Sequence, residues 1–118
     1  MSNGLTALVT GAGKQRVGNV VARDLAAAGY RVAIHYFTSQ EPAEQTVAEL
    51  REQGADVEAF HADLRNEPEV RDLTARVVDR FGSVDAVVCS AASWLRRPLE
   101  ETGAEELRSE WETNTASV

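Results

Sequence analysis

The sequence lacks three features that would place it in other classes of protein: a second cysteine, a long apolar run and an excess of basic residues. Cys89 is the single cysteine, so no internal disulfide can form, and we expect a cytoplasmic protein. No stretch approaches the ~20 consecutive apolar residues of a membrane-spanning helix. The residues before Leu5 also lack the basic and apolar pattern of a signal sequence, so neither membrane insertion nor export is expected.

Basic residues are outnumbered, with 12 Lys and Arg against 19 Asp and Glu and a formal net charge of −7. Such a surface repels the phosphates of nucleic acids, so nucleic acid is not an expected partner. The histidines, His35 and His61, have no Asp, Glu or Cys at ligand spacing, and we expect no metal site. At 118 residues the chain is long enough for one domain and too short for two, so residues 1–118 are expected to form a single domain.

What the sequence does contain is a regular alternation of apolar runs and helical patterns. Four apolar runs predict strands, at residues 5–10, 31–36, 56–61 and 84–89. This βαβαβαβα order implies an α/β fold of the Rossmann type, a doubly wound parallel sheet that is incomplete, with four strands in the order 3-2-1-4. Ligands of such sheets lie beyond the carboxyl ends of the strands, so the loops at Gly11, Tyr36, Asp63 and Ser90 are expected to converge on one crevice.

The predicted helices place their apolar residues on one face, which we expect to cover the sheet. These residues are Val17, Val20, Val21, Leu25 and Ala28 in the first helix, Ala43, Val47 and Leu50 in the second, and Val70, Leu73, Val77 and Phe81 in the third. A last helical segment begins near Ala104. Cys89, on the fourth apolar run, is expected to be a small core residue and not a nucleophile.

The turn after the first strand is rich in glycine and leads into a helix. Small residues there let main-chain N–H groups approach an anion, and the start of a helix adds partial positive charge. Gly11 and Gly13 begin the dinucleotide pattern G-x-G-x-x-G, but Arg16 stands at its third glycine. The sequence therefore predicts that this turn binds a dinucleotide, although its glycines do not follow the G-x-G-x-x-G pattern.

Three ordered segments resemble the short-chain dehydrogenase/reductase family. Thr10-Gly11 and Arg16-Val17-Gly18 match the two ends of its glycine signature, with Ala12-Gly13-Lys14-Gln15 one residue longer than usual between them. Ala62-Asp63-Leu64 and Cys89-Ser90-Ala91-Ala92-Ser93 follow at the spacing of the family. The resemblance is strongest to pteridine-reductase-like and 3-oxoacyl-carrier-protein-reductase-like members, and it covers the whole chain but only about half of the family's domain.

The resemblance implies a nicotinamide dinucleotide, and the residues favour NADP over NAD. An NAD site usually has an acid at the end of the second strand, where this chain has Tyr36-Phe37-Thr38-Ser39. A 2′-phosphate could accept hydrogen bonds from the two hydroxyls and pair with Arg16 or Lys14. Alternatively, the basic side chains are solvated and Ser39 caps the second helix. Phe37 stands where related reductases often have Arg.

The other matching segments are assigned parts of the same site by the resemblance. Asp63 corresponds to an aspartate beside the adenine ring, or else it caps a helix. Ser90 replaces an Asn near the ribose and nicotinamide, so the local hydrogen bonds must differ. The predicted cofactor-binding residues are Gly11, Lys14, Gln15, Arg16, Val17, Gly18, Tyr36, Thr38, Ser39, Asp63, Leu64, Ser90, Ala91 and Ala92.

The family reduces a carbonyl or imine with a Tyr general acid, a Lys that lowers the pKa of that Tyr, a Ser that binds the carbonyl oxygen and an Asn that holds a water. Only the Asn has a match, at Asn114, which alternatively caps a helix or is solvated. The Ser and the Tyr-x-x-x-Lys motif lie beyond this segment in the family, and Lys14 is the single lysine here. We therefore expect the cofactor-binding half of an oxidoreductase, inactive by itself.

Trp94, Arg96 and Arg97 follow the fourth strand, where the family gathers substrate contacts. They are expected to form an aromatic wall or a carboxylate clamp for a small-molecule substrate, or else to pack on the surface. Two other classes of function stay open: a nucleotide-binding half-domain without catalysis, and an assembly element whose sheet is completed by another chain. A homo-oligomer is expected of the complete protein.

Overall fold

A computed structural model describes residues 3–93 and 97–118 of the chain. Its centre is a parallel four-stranded sheet in the order β3-β2-β1-β4, which confirms the predicted α/β fold and strand order. The strands are β1 (Thr6–Thr10), β2 (Arg31–Tyr36), β3 (Val57–His61) and β4 (Ala86–Cys89). In the register of the sheet, Thr10 lies beside Cys89 and Tyr36 beside His61, so the carboxyl ends of the strands meet along one edge.

Helices cover both faces of this sheet. Within the described residues the α-helices are α1 (Val17–Ala27), α2 (Gln40–Glu52), α3 (Glu67–Phe81) and α4 (Ala104–Trp111), with a 3-10 turn at Leu99–Glu101 and a π-helical turn at Glu112–Ala116. On one face, α1 and α2 pack over apolar strand residues such as Ile34. On the other, α3 packs Leu73 and Val77 against Leu8. The inward residues predicted for α2 and α3 lie buried there, except that Val70 is only partly buried.

The predicted inner face of α1 is confirmed only in part, because Leu25 packs against the core. Val17 and Val20 are 74% and 57% exposed, whereas Gly18, Asn19 and Ala22 are buried. The reason is that α1 approaches the sheet through these smaller residues. The Asn19 side-chain amide then finds partners inside, donating to the main-chain oxygen of Ala12 at 2.8 Å and to Thr46 Oγ1 at 3.0 Å.

The prediction that Cys89 is a core residue is wrong, because its side chain is exposed. Val87, two positions earlier on β4, is 54% exposed. Val87 pairs with Leu8 and so lies on the α3 side of the sheet, but α3 packs over β1, β2 and β3. The outer strand is left with an open surface within the described residues.

Among residues 3–93 and 97–118, no helix has the length and apolarity needed to cross a lipid bilayer. In the same ranges, no three His, Cys, Asp or Glu side chains are grouped as metal ligands would be.

Candidate functional site

A cleft of about 460 Å³ lies at the carboxyl edge of the sheet, where the loops after the four strands meet. Every predicted cofactor-binding residue lines this cleft except Gln15. The structure therefore brings together the segments that were expected to converge, which are the two ends of the predicted loop signature, the end of β2, and the segments at Asp63 and Ser90. Sequence reasoning did not assign the remaining lining residues, which are Gly13, His35, Phe37, Arg65, Ser93, Ser109 and Thr113.

The glycines after β1 allow three segments to touch. Gly11 has a φ of +64°, and a Cβ built on it would lie 2.5 Å from the Cα of Ala91. A Cβ on Gly18 would overlap the hydroxyl of Ser90 and lie 2.9 Å from the main-chain oxygen of Gly11. Only glycine fits at these two positions, so the start of α1 lies directly against the loops after β1 and β4.

The amino-terminal end of α1 carries an uncompensated partial positive charge. Its first turn contains no acidic residue, and no side chain among the described residues caps it. By contrast, the first turn of α3 has two acids, and the Asn66 side chain accepts from the main-chain N–H of Glu69. Free N–H groups at a helix start beside a glycine loop are the arrangement that binds phosphate in proteins.

Hydroxyl and basic side chains line the same cleft. Thr38 and Ser39 line it just after β2, and Lys14 and Arg16 line it from the glycine loop. The alternative in which Ser39 caps α2 is not supported, since its side chain makes no capping hydrogen bond in the described part of the chain. The two cations form no ion pair with any carboxylate of the described residues, so both are available to a ligand.

Asp63 and Arg65 form a pair at the rim. The guanidinium of Arg65 donates to both carboxylate oxygens of Asp63 at 3.0 Å and lies 5.6 Å from the centre of the Phe37 ring. Hydrogen bonds from Arg65 hold the pKa of Asp63 below its usual 3.8, so this carboxyl is ionised at neutral pH. Asp63 does not cap α3, because Asn66 does. The pair and the ring make a flat wall beside the hydroxyls.

Hydrogen bonds at the end of β4 replace those that an Asn would make. The hydroxyl of Ser90 donates to the main-chain oxygen of Thr10. In return, Thr10 Oγ1 accepts from the main-chain N–H groups of Ser90 at 3.1 Å and Ala91 at 3.2 Å. Two short hydroxyl side chains therefore join β1 to the segment after β4, which accounts for the local difference expected from Ser90.

Asn114 lies near the cleft but is not one of its lining residues. It belongs to the π-helical turn, where its Oδ1 accepts from the main-chain N–H of Ser93 at 2.7 Å. Its Nδ2 donates to the Ser93 main-chain oxygen and to Glu110 Oε2, both at 2.9 Å. The side chain thus fixes the segment that follows β4, and its catalytic role stays a prediction.

The predicted substrate contacts after β4 are described only in part. Trp94 and Arg96 lie outside the described residues. Arg97, predicted as part of a carboxylate clamp, already pairs with Glu106 at 2.6 Å. A ligand carboxylate would have to displace this internal partner.

The family model of the short chain dehydrogenases matches residues 5–118. The chain belongs to the short-chain dehydrogenase family. The chain is 34% identical, over 112 residues, to a hydroxynaphthalene reductase-like protein of Metarhizium majus, covering 95% of the chain and 42% of the relative. It is 41% identical over 86 residues to a 3-oxoacyl-acyl-carrier-protein reductase of Staphylococcus aureus, covering 73% of the chain and 35% of that relative. These likenesses confirm the family that the sequence motifs indicated.

Among solved structures, the chain resembles a variant of actinorhodin polyketide ketoreductase crystallised with NADPH. The TM-score is 0.90 at 34% identity, and the match covers 99% of the chain and 45% of the ketoreductase. The chain therefore spans less than half the length of the relatives it matches.

Proposed function

We propose that this chain is the NADP-binding part of an oxidoreductase that reduces a small-molecule carbonyl or imine. One observation carries the proposal: a single cleft joins a glycine loop, an uncapped helix start, two hydroxyls and two unpaired cations. Each feature recognises phosphate or ribose oxygen, and together they match a phosphorylated dinucleotide better than a smaller anion. The NADPH found in the related ketoreductase structure supports the same cofactor.

In this proposal the N–H groups of Val17 and Gly18 would hold the cofactor diphosphate. The end of β2 and the wall formed by Asp63 and Arg65 would hold the adenosine. Ser93, Ser109 of α4 and Thr113 of the π-helical turn would hold the nicotinamide end. When bound, NADPH supplies a hydride to the substrate carbon, and the substrate oxygen or nitrogen takes up a proton.

The choice of NADP over NAD rests on charge. No acid occurs between Tyr36 at the end of β2 and Glu41 in α2, so no carboxylate occupies the position that holds the ribose 2′-hydroxyl in NAD sites. Thr38 and Ser39 offer hydroxyls, and Arg16 and Lys14 offer positive charge from the glycine loop. A phosphate contacted by these four groups gains charge-assisted hydrogen bonds that the 2′-hydroxyl of NAD cannot make.

Calorimetric titration of the chain with NADP⁺ and NAD⁺ tests the proposal. We expect NADP⁺ to bind at least about tenfold more tightly, as one or two charge-assisted hydrogen bonds would give. Raising the salt concentration should reduce the difference in affinity between NADP⁺ and NAD⁺, because salt screens the charges of the exposed Lys14 and Arg16 side chains. Equal affinity for the two dinucleotides would reject the NADP assignment, and no binding of either would reject the function.

Hydride transfer needs groups that these 118 residues do not supply. Lys14 is their single lysine and lies in the glycine loop, so no Tyr-x-x-x-Lys motif is present. We propose that the chain binds cofactor without catalysing reduction by itself, and that Asn114 joins the proton relay only alongside further residues. We also propose a homo-oligomeric complete protein, and a cytoplasmic one because Cys89 has no disulfide partner within the chain.

A second candidate function is an assembly element whose sheet is completed by another chain. It is favoured by β4, which pairs only with β1 among the described strands and exposes Val87. An open strand edge with an apolar residue readily pairs with another strand. Sedimentation of the chain as a monomer at all concentrations tested would exclude this function and leave cofactor binding unaffected.

A further inference from the structure

His35 is a buried histidine whose two ring nitrogens both have main-chain partners. It lies near the end of β2 and is 2% exposed, yet it lines the cleft. Its Nδ1 accepts a hydrogen bond from the main-chain N–H of Gly11 at 3.0 Å. Its Nε2 lies 2.8 Å from the main-chain oxygen of Ala62, an atom that can only accept. Both contacts are satisfied together only by a neutral ring with its hydrogen on Nε2.

The two partners belong to different walls of the cleft. Gly11 is the first glycine of the loop after β1, and Ala62 immediately precedes Asp63 after β3. The main chain reinforces this connection, since the His35 oxygen accepts from Ala12 N–H at 3.0 Å and the Tyr36 oxygen accepts from Ala62 N–H at 3.2 Å. The imidazole is the side chain that joins the glycine loop to the loop after β3.

We propose that neutral His35 is a positioning residue for cofactor binding, which holds the glycine loop in its phosphate-binding shape, and that protonation of its ring weakens the cofactor complex. This rests on the function proposed above. A doubly protonated imidazole has no acceptor, so it would place an N–H group directly against the N–H of Gly11. The loop would have to move, and Gly11 has little room because Ala91 lies against it.

The charges that face the ring favour its neutral form. His61 reaches it from β3 and Arg76 from α3, and Arg76 is held in place by Asp72 at 2.7 Å and by the main-chain oxygen of His61 at 2.7 Å. From β1 and its loop the ring meets the N–H group of Gly11. Burial is the main cause that lowers the pKa of His35 below 6.5, the hydrogen bond to Ala62 opposes it, and repulsion from His61 and Arg76 adds to the lowering.

The sign of the pH dependence follows from these groups. Above pH 6.5 the ring is neutral in both folded and unfolded chains, and the loop is held. As pH falls through the lowered pKa, the ring of the folded chain takes up a proton and the contact with Gly11 is lost. If the cofactor binds only the neutral form, its dissociation constant rises by up to about tenfold per pH unit below that pKa.

The test compares the full chain with three variants: His35→Asn, His35→Leu and, as the matched control, His61→Asn. An Asn at position 35 can accept the hydrogen bond from the Gly11 N–H but cannot be protonated. A Leu can neither accept this hydrogen bond nor be protonated. NADP⁺ affinity is measured by calorimetry from about pH 4 to about pH 8, a range that extends well below the ordinary pKa of histidine. Any titration of the NADP⁺ phosphates is common to all four proteins and cancels in the comparison.

We expect the affinity of the wild type and of His61→Asn to fall steeply on the acid side. We expect His35→Asn to bind within about threefold of the wild type at pH 8 and to lose this steep fall. We expect His35→Leu to bind about tenfold or more weakly than the wild type at pH 8, because the Gly11 N–H is left unpaired, and to show no steep fall on the acid side. The same acid profile in His35→Asn and the wild type would overturn the proposal.

A structural measurement separates this inference from the proposed function. Long-range ¹⁵N–¹H spectra of the two histidines should show His35 as the Nε2–H form at neutral pH, and hydrogen exchange at the Gly11 amide should be faster in His35→Leu. An Nδ1–H ring, or unchanged exchange at Gly11, overturns the role of His35 even if NADP⁺ binds. Failure of NADP⁺ to bind any of the proteins at any pH overturns the proposed function, while the spectra and the exchange rates still decide whether His35 holds the loop.

Discussion

The hydroxyl of Ser90 occupies the space in which a side chain on Gly18 would begin. This contact joins the first turn of α1 to the segment after β4. We predict that Gly18→Ala weakens NADP⁺ binding by about a hundredfold, because the new methyl group displaces the loop by a large part of an ångström. Combining it with Ser90→Ala should restore only part of the affinity, since the main-chain oxygen of Gly11 still lies 2.9 Å from the added carbon.

The measurement is a calorimetric titration of both variants. Gly103→Ala is the matched control, because Gly103 lies outside the cleft and a Cβ there would meet only the flexible end of Glu106. Wild-type affinity in Gly18→Ala would contradict the described packing of α1 against β4.

Thr10 connects β1 to the main-chain N–H groups of Ser90 and Ala91. Its side chain is buried and accepts from both. We predict that Thr10→Val lowers the free energy of unfolding by about 1–3 kcal/mol, because the shape is kept while two partly buried donors lose their acceptor. Urea unfolding measures this loss. Thr74→Val, on the exposed face of α3, should change stability by less than about 0.5 kcal/mol, and an equal effect of the two substitutions would contradict the assigned hydrogen bonds.

Arg16 lies in the cleft without a carboxylate partner among the described residues. We predict that Arg16→Gln weakens NADP⁺ binding by about tenfold and leaves NAD⁺ binding nearly unchanged, since only the first ligand has a 2′-phosphate to pair with the guanidinium. Arg71→Gln removes the same charge from the exposed pair with Glu67 and should affect neither ligand. A parallel loss of both affinities in Arg16→Gln would show that Arg16 supports the loop and does not contact the 2′-phosphate.

Asp85 ties the beginning of β4 to β1. One carboxylate oxygen accepts from the main-chain N–H of Thr6 at 2.8 Å and from the Ser83 hydroxyl at 2.9 Å. The hydrogen bond from Thr6 and then that from Ser83 lower the pKa of Asp85 below 3.8, so its contribution to stability is complete above pH 3.8 and is lost as pH falls through the lowered value.

We therefore predict that Asp85→Asn flattens the acid side of the stability profile. Unfolding midpoints recorded through the acid range measure it, with Asp79→Asn on the exposed face of α3 as the control that keeps the wild-type profile. Identical profiles for Asp85→Asn and the wild type would contradict the prediction.

Asn114 pairs with both main-chain groups of Ser93. We predict that Asn114→Ala speeds hydrogen exchange at the Ser93 amide by about tenfold or more, the effect of losing one hydrogen bond in a partly exposed segment. The neighbouring substitution Thr115→Ala should leave that amide unchanged. Unchanged exchange in Asn114→Ala would mean that other contacts hold the segment after β4.

Periodicity was enough to predict the sheet, because four apolar runs separated by helical patterns admit few topologies. The order 3-2-1-4 and the convergence of Gly11, Tyr36 and Asp63 followed from it. Periodicity predicted α1 only in part: Leu25 packs against the core, but Val17 and Val20 are exposed and smaller residues are buried in their place. Gly18 faces inward because it lets α1 lie close to the loops after β1 and β4, and Asn19 faces inward because its side chain makes a buried hydrogen bond. A hydrophobic pattern shows neither property.

The candidate site also contains residues that the sequence predicts and residues that it does not. Motif residues such as Gly18 could be predicted because main-chain segments that touch require a glycine, which is visible in the sequence. His35 and Arg65 could not, because each acts through a partner that only the fold or the loop geometry brings near. For Arg65 a weak signal was present, since an Arg two residues after Asp63 can reach back to its carboxylate. For His35 the partners are Gly11 and Ala62, both contacted through main-chain atoms that carry no sequence signal.

Lys14 is exposed at the rim of the cleft and is the chain's only lysine. Apart from the α-amino group, its ε-amine is therefore the one primary amine of the polypeptide. Once the α-amino group has been blocked, an amine-directed reagent would attach a dye, a spin label or a resin at a single place, beside the glycine loop. The chain thus offers a ready position for a reporter that senses occupancy of the cleft without any engineered residue.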